Sequence, residues 1–249
     1  MSGHSKWHNI QRTKNANDAA KARIVTKISR ELLVCIRDGG NNPDSNSKLR
    51  DMITKAKANN VPNENINRLL AKGSEDKTNY EANTYEGYGI GGIAVMVETL
   101  TDNKNRTAGD VRSYFSKYGG NMGATGCVSY LFTQKGVIIA TSPYPFGEED
   151  AIMEDSIECG ADDYAVDSDD YETSVRFETP VDDLHNAVQF LQNKKYEIQN
   201  FEVAYVPMTT VKLTNDELIK KFEQLIDKLE EHDDVQNVYH NFDVGFADR

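Results

Sequence analysis

The residues best suited to chemistry in this chain are cations near its amino end. Residues 1–73 contain 14 Lys and Arg against 6 Asp and Glu, whereas the remaining residues contain 14 against 34. A basic segment joined to an acidic body is typical of a module that binds an anionic polymer by neutralising its phosphates. The candidate phosphate contacts are Lys6, Arg12, Lys14, Arg23, Lys27, Arg30 and Arg37.

Four of these cations share one face of a helix predicted over residues 16–37. At about 100° per residue, Lys27, Arg30 and Arg37 fall within about 40° of Arg23, and the apolar residues lie opposite. A solvated surface is the ordinary explanation of a charged helix face. Such faces usually mix signs for i,i+4 pairing, however, so this one-sign face favours phosphate binding.

Trp7 is the single tryptophan of the chain and lies among the cations that precede this helix. An exposed tryptophan can stack on a nucleobase or dock on a partner. Packing back onto the helices explains Trp7 equally well, and the sequence leaves both explanations open.

A second candidate phosphate site is the turn Asn105-Arg106-Thr107 together with Arg112, at the start of another predicted helix. Backbone N–H groups at a helix start favour anions. A simple helix cap would explain the Asn and the Thr but would leave Arg106 without a role.

Catalytic and metal-binding patterns are missing from the sequence. Cys35, Cys127 and Cys159 lie far apart, which argues against disulfides and zinc and favours a reducing cytoplasm. The glycines from Gly87 to Gly92 precede a strand, where a dinucleotide motif needs a helix start. We therefore expect no enzyme activity, cofactor or metal site, and the short apolar runs predict no membrane span.

The predicted elements divide into helices followed by mixed strands and helices. Residues 16–73 are expected to form a three-helix bundle, with a stop at Gly39-Gly40 and a cap at Asp44-Ser45, and residues 75–88 a linker. Half of a βαββαβ unit follows as strand 92–100, helix 105–118 and strand 128–132. The matching half is expected much later, as strand 209–213, helix 216–230 and strand 235–242.

A complete second copy of this pattern lies between the halves. The predicted fold class is α+β, with an N-terminal three-helix domain followed by two ferredoxin-like βαββαβ domains, one inserted in the other. The predicted domains are residues 1–79, residues 80–133 with 207–249, and the inserted residues 134–206. The inserted copy has 17 Asp and Glu against 4 Lys and Arg, so it should face solvent, a basic protein partner or counterions rather than nucleic acid.

Short motifs spread along the whole chain resemble the YebC/PmpR family, which includes the mitochondrial translational activator of cytochrome oxidase. They are Gly3-His4-Ser5-Lys6-Trp7, Asp44-Ser45-Asn46, Tyr85-Glu86-Gly87-Tyr88-Gly89, Gly91-Gly92, Thr101-Asp102-Asn103, Asn105-Arg106-Thr107-Ala108, Gly119-Gly120-Asn121 and Ser129-Tyr130 with Phe132. The resemblance implies a three-domain, non-enzymatic, cytoplasmic protein. Because the family signature starts at Gly3, it also implies that the basic arm belongs to the mature protein and is not a transit peptide.

The resemblance implies two competing functions. The first is a nucleic-acid-binding regulator of gene expression, resembling DNA-binding transcriptional regulators. The alternative is a ribosome-associated translation factor that binds ribosomal RNA and eases elongation at proline-rich stretches. Charge alone does not separate DNA from RNA, because phosphate contacts carry no sequence information. A protein-interaction or small-molecule-sensing module is the remaining alternative, by fold analogy only.

Overall fold

The computed structural model describes residues 18–72, 78–145, 147–168 and 173–243. Three helices come first: α1 is Asp18–Gly39, α2 is Ser47–Ala58 and α3 is Asn63–Lys72. Their apolar faces share a core of Ile28, Leu32, Ile36, Leu49, Ala56, Val61 and Ile66. The predicted three-helix bundle is confirmed, although its predicted outer ends, residues 16 and 73, lie outside the described residues.

The turn between α1 and α2 is organised by Asn46, which is buried. The Asn46 side-chain amide donates to the carbonyls of Cys35 and Gly40, at 2.8 and 2.9 Å, and its oxygen accepts from the Leu49 N–H at 3.1 Å. Asn46 therefore caps α2, and the predicted cap at Asp44-Ser45 is wrong by one residue. The predicted stop of α1 is confirmed, and Gly40 has the left-handed φ of 85° that favours glycine there.

The first sheet has four strands in the order β3-β1-β2-β8. They are β1 (Glu81–Tyr88), β2 (Ala94–Thr101), β3 (Asn121–Met122) and β8 (Val235–His240). Two helices cover one face, α4 (Lys104–Lys117) and α7 (Asp216–Glu231). The core between them includes Val111, Phe115, Phe222, Leu225 and Leu229.

Three predicted elements of this sheet are wrong. The predicted linker contains β1, a polar strand that is held by its antiparallel ladder with β2. The predicted strand 128–132 is mostly the 3₁₀ turn Ser129–Leu131, and the strand after α4 is the short β3. The predicted strand 209–213 is a single bridge between Val211 and Phe242. The discontinuous sheet therefore starts with a hairpin and does not follow βαββαβ order.

The second sheet has the order β5-β6-β4-β7. Its elements are β4 (Phe132–Thr141), α5 (Glu149–Glu158), β5 (Asp163–Ser168), β6 (Thr173–Thr179), α6 (Leu184–Asn193) and β7 (Glu197–Pro207). This is the predicted ferredoxin-like βαββαβ sequence of elements. Its core contains Ile138, Ile152, Phe177 and Leu191, each almost fully buried.

The chain separates into two compact units, one that combines the described residues up to Leu131 with those from Pro207 onward, and one formed by Phe132–Val206. The α+β fold class is confirmed. The predicted boundary between residues 79 and 80 stays a prediction. Among the described helices, none has the length and apolar character needed to cross a bilayer.

Candidate nucleic-acid interface

The basic arm before α1 lies outside the described residues. Lys6, Trp7, Arg12 and Lys14 all belong to it. Their contacts with nucleic acid stay predictions from the sequence.

The cations of α1 make contacts within their own unit. Lys27 Nζ donates to the Glu230 carbonyl at 2.6 Å, and Arg30 Nη1 donates to the Asp233 carbonyl at 2.6 Å. Both carbonyls lie at or just after the C-terminal end of α7, where the helix dipole is negative and favours cations. The basic face of α1 therefore packs against the end of α7.

Arg37 extends this contact toward the start of β1. Its Nη1 donates to the Asn79 side chain at 3.1 Å and to the Tyr80 carbonyl at 3.0 Å. Arg30 also stacks over the Tyr80 ring, with its guanidinium carbon 5.5 Å from the ring centroid. Three of the four cations that share this helix face, Lys27, Arg30 and Arg37, thus have protein partners, which helical periodicity alone does not reveal.

Asp234 is the carboxylate at the centre of this contact, and its side chain is only 3% exposed. One oxygen accepts from Arg30 Nη1 at 2.7 Å. The other accepts from the hydroxyls of Thr101 and Thr107, at 3.0 and 2.7 Å, and from Arg106 Nη2 at 3.0 Å. One buried carboxylate thereby joins α1, β2 and α4.

The partners of Asp234 keep it ionised. Burial by itself raises the pKa of a carboxyl, but the hydrogen bonds from Thr107, Arg106, Thr101 and Arg30 outweigh it and lower the pKa of Asp234 to about 2. The contact is therefore a charged network at neutral pH.

This network gives a structural role to Arg106, which the sequence predicted as a phosphate contact at the start of α4. Asn103, not Asn105, caps the helix by accepting from the Arg106 N–H at 3.1 Å. Arg106 pairs with Asp102 at 2.8 Å as well as with Asp234, so it has a structural partner. Arg112 is exposed on α4 and has no side-chain partner among the described residues.

Other cations remain exposed on the helical bundle. Arg23 is half-buried and has no side-chain partner in the described part of the chain. Five further cations are exposed and also have no side-chain partner among the described residues: Lys21, Lys48, Arg50, Lys57 and Arg68. Sequence reasoning missed this last group, although the seven-residue spacing of Arg50 and Lys57 places them on one face of α2.

Glu86 anchors the loop between β3 and β4. Its carboxylate accepts backbone N–H bonds from Gly126, Val128 and Ser129, at 2.7, 2.8 and 2.8 Å. Burial by itself raises the pKa of Glu86, but these three bonds outweigh it and lower that pKa. The family-like motif around Glu86 thus has a structural role.

In the described ranges, no group of three His, Cys, Asp or Glu side chains is arranged to hold a metal ion. Cys35 and Cys127 are half-buried, Cys159 is buried, and burial raises the pKa of each thiol. Thiols with raised pKa values are poor nucleophiles at neutral pH.

Comparison with known proteins places these features in a family context. Residues 5–76 match the family model described as the TACO1/YebC protein N-terminal domain, and residues 80–242 match that of the TACO1/YebC second and third domain. A probable transcriptional regulatory protein of Ruminiclostridium cellulolyticum is 50% identical over 98% of this chain and 97% of its own length. A protein of the same description from Acetivibrio thermocellus is 48% identical over 97% of this chain and 99% of its own.

A solved structure agrees with the fold. The crystal structure of a conserved hypothetical protein from Aquifex aeolicus superposes with a TM-score of 0.78, at 38% identity, and the match covers 93% of this chain and 95% of that one. Since the two family models together span nearly the whole chain and full-length relatives share about half of its residues, the chain belongs to the TACO1/YebC family.

Proposed function

We propose that this protein is a nucleic-acid-binding regulator of gene expression that acts in the cytoplasm and has no catalytic activity of its own. Its relatives are named as probable transcriptional regulatory proteins, and those names do not describe enzymes. The observation that carries the proposal is the set of exposed cations on α2 and α3, which have no side-chain partner among the described residues. Binding of phosphates to such a surface lowers the free energy of the system, because the phosphates neutralise its charge.

The phosphate-binding surface in this proposal differs from the one predicted first. Arg50, Lys57 and Arg68 carry it, because Lys27 and Arg30 are engaged with the end of α7. Arg23 and Arg112 also have no described side-chain partner and remain candidates. The arm residues Lys6, Trp7, Arg12 and Lys14 would extend the surface, on the charge argument alone.

A charge-reversal pair tests the surface. The double variant Arg50→Glu/Lys57→Glu should bind duplex DNA and ribosomal RNA fragments at least about ten-fold more weakly at low salt. Its slope of log affinity against log salt should fall by about two, because each lost phosphate contact lowers the slope by about one. Fluorescence anisotropy with labelled strands measures both quantities.

The matched control is Lys220→Glu/Lys221→Glu on α7, which changes the net charge equally at two exposed lysines. An equal loss of affinity in the control would mean that net charge, and not the α2 surface, governs binding. Unchanged binding in both variants would reject the site.

The translation-factor alternative is favoured by one observation. The basic face of α1 lies against α7 and Tyr80, so it is not free to enter a DNA major groove as a recognition helix does. Ultraviolet crosslinking in growing cells, followed by sequencing of the attached nucleic acid, separates the two functions. Discrete ribosomal RNA sites would identify the translation factor, and promoter DNA without ribosomal enrichment would identify the transcriptional regulator.

A further inference from the structure

One long segment of this acidic chain contains no acidic residue. Residues 111–147 have no Asp or Glu, although the whole chain has 40 in 249 residues, and their only charged side chains are Arg112, Lys117 and Lys135. The segments 87–97 and 203–215 are also free of Asp and Glu. An even spread of carboxylates would have put several into residues 111–147 alone.

The parts of these segments that lie outside the unit Phe132–Val206, namely residues 87–97, 111–131 and 207–215, meet at the edge of the first sheet. Tyr88, at the end of β1, is paired with Asn121 of β3. The loop after β3 leads to Leu131, whose carbonyl accepts from the Met208 N–H at 2.9 Å. Glu86 of β1 is 4% exposed, and its carboxylate is engaged by the loop backbone. The edge therefore presents no exposed carboxylate from these segments that would repel a polyanion.

Two tyrosines and a methionine are exposed at this edge. Tyr130 is 64% exposed, Met208 61% and Tyr88 37%, so this edge presents large side chains of low polarity to solvent. The Tyr88 hydroxyl donates at 3.1 Å to the carbonyl of Cys127, which lies in the same loop as Tyr130. This hydrogen bond holds the Tyr88 ring against the loop.

The loop that carries Tyr130 is also fixed. Glu86 binds the N–H groups of Val128 and Ser129, immediately before Tyr130, and the Gly123 N–H donates to the Glu86 carbonyl at 2.8 Å. An exposed ring on an anchored loop loses little conformational freedom when a flat ligand stacks on it. The arrangement suits recognition by stacking.

We propose that Tyr130, supported by Tyr88 and Met208, forms a stacking site for an unpaired nucleobase of single-stranded RNA or DNA. The proposal deepens the proposed function and rests on it, because the phosphates of the same strand would be drawn by the exposed cations elsewhere in this unit. A tyrosine ring stacks on any base that is free of a duplex, whereas bases inside a duplex present no open face. The segments that form this edge carry no carboxylate that would repel the charged strand. Lys117 lies exposed at the end of α4, four residues before the Asn121 that pairs with Tyr88.

The test uses the full-length protein and the variants Tyr130→Ala and Tyr130→Phe. The probes are a short single-stranded RNA, the matching single-stranded DNA, each with one 2-aminopurine, and the corresponding duplex. Tyr130→Ala should weaken single-strand binding by roughly 5- to 150-fold, the range that loss of one stacked base implies, and should abolish the quenching of 2-aminopurine fluorescence. Tyr130→Phe keeps an aromatic face and should retain most of both signals.

Duplex binding separates this proposal from the proposed function. It should be unchanged in Tyr130→Ala and reduced in Arg50→Glu/Lys57→Glu. If Tyr130→Ala leaves single-strand affinity and quenching unchanged, or weakens single strand and duplex equally, the stacking site is overturned while the phosphate surface can still stand. A larger loss of affinity for RNA than for DNA would support the site and would indicate further contacts to the 2′-hydroxyl. Because Tyr130 is exposed, circular dichroism should show the same folded state in all variants.

Discussion

Single buried carboxylates organise much of this molecule. Asp234 accepts from Arg30, Thr101, Arg106 and Thr107, which come from three separate elements. Removing an anion from such a cluster leaves its donors unpaired in a desolvated place, which costs more free energy than an exposed ion pair contributes. The residues that resemble a family motif here thus serve the structure.

Asp234→Asn should lower the free energy of unfolding by about 3 kcal/mol at neutral pH, since it neutralises the shared partner of Arg30 and Arg106. Urea denaturation followed by circular dichroism measures the change. Asp233→Asn is the matched control, because the neighbouring Asp233 side chain is exposed and only its carbonyl binds Arg30. Equal effects of the two substitutions would contradict the role of the Asp234 carboxylate.

The contribution of Asp234 to stability should also depend on pH in the acidic range. The pKa of Asp234 falls from its ordinary 3.8 to about 2 in the folded protein, so its contribution is complete above about pH 4 and is lost as the pH falls through about 2. The shift corresponds to roughly 2 kcal/mol. Over this window the unfolding free energy of Asp234→Asn should change less with pH than that of the wild-type protein. Parallel curves would be evidence against the depressed pKa.

Some loops and helix faces are held by contacts that their own local sequence does not predict. The loop between β3 and β4 contains no charged residue and is fixed by Glu86 of β1. The one-sign face of helix α1 lies opposite the end of helix α7, whose carbonyls accept hydrogen bonds from Lys27 and Arg30. In both cases a group from a distant part of the chain accepts the hydrogen bonds that the element donates.

Glu86→Gln should loosen that loop, since an amide replaces one acceptor oxygen with a donor that faces backbone N–H groups. The amides of Gly126, Val128 and Ser129 should exchange with deuterium at least several-fold faster, while the core of α7 remains protected. Hydrogen exchange read by NMR or mass spectrometry follows this. Glu81→Gln, at an exposed carboxylate on the same strand, should leave the loop unchanged.

The whole molecule combines opposite charges with separate cores. The unit Phe132–Val206 has its own core around Ile138, Phe177 and Leu191, and the other unit has cores on its sheet and in its helical bundle. The strongly acidic composition belongs to the unit Phe132–Val206, and the exposed basic helices belong to the other unit. We propose that this segregation directs nucleic acid to the basic helices.

Separate cores predict local effects of core substitutions. Leu191→Ala should remove about 2–5 kcal/mol of stability from the unit Phe132–Val206. Leu225→Ala, at an equally buried leucine of α7, should have the same effect on the other unit. Hydrogen exchange resolved by peptide should show faster exchange in the substituted unit alone. Uniform acceleration along the chain would mean that the two units unfold as one.

The sequence by itself determined the three-helix bundle, the inserted βαββαβ unit and the basic character of the amino end, because helical periodicity, strong apolar strands and charge counts are local properties. Only the tertiary structure decided that residues 81–88 form a strand, since this polar segment becomes one by pairing with β2. It also decided which cations are exposed: a helical wheel places Lys27 and Arg30 on one face, but the element packed on that face comes from residues 230–234, about 200 positions away. Local pattern determines the direction of a side chain, and only the folded chain supplies its partner.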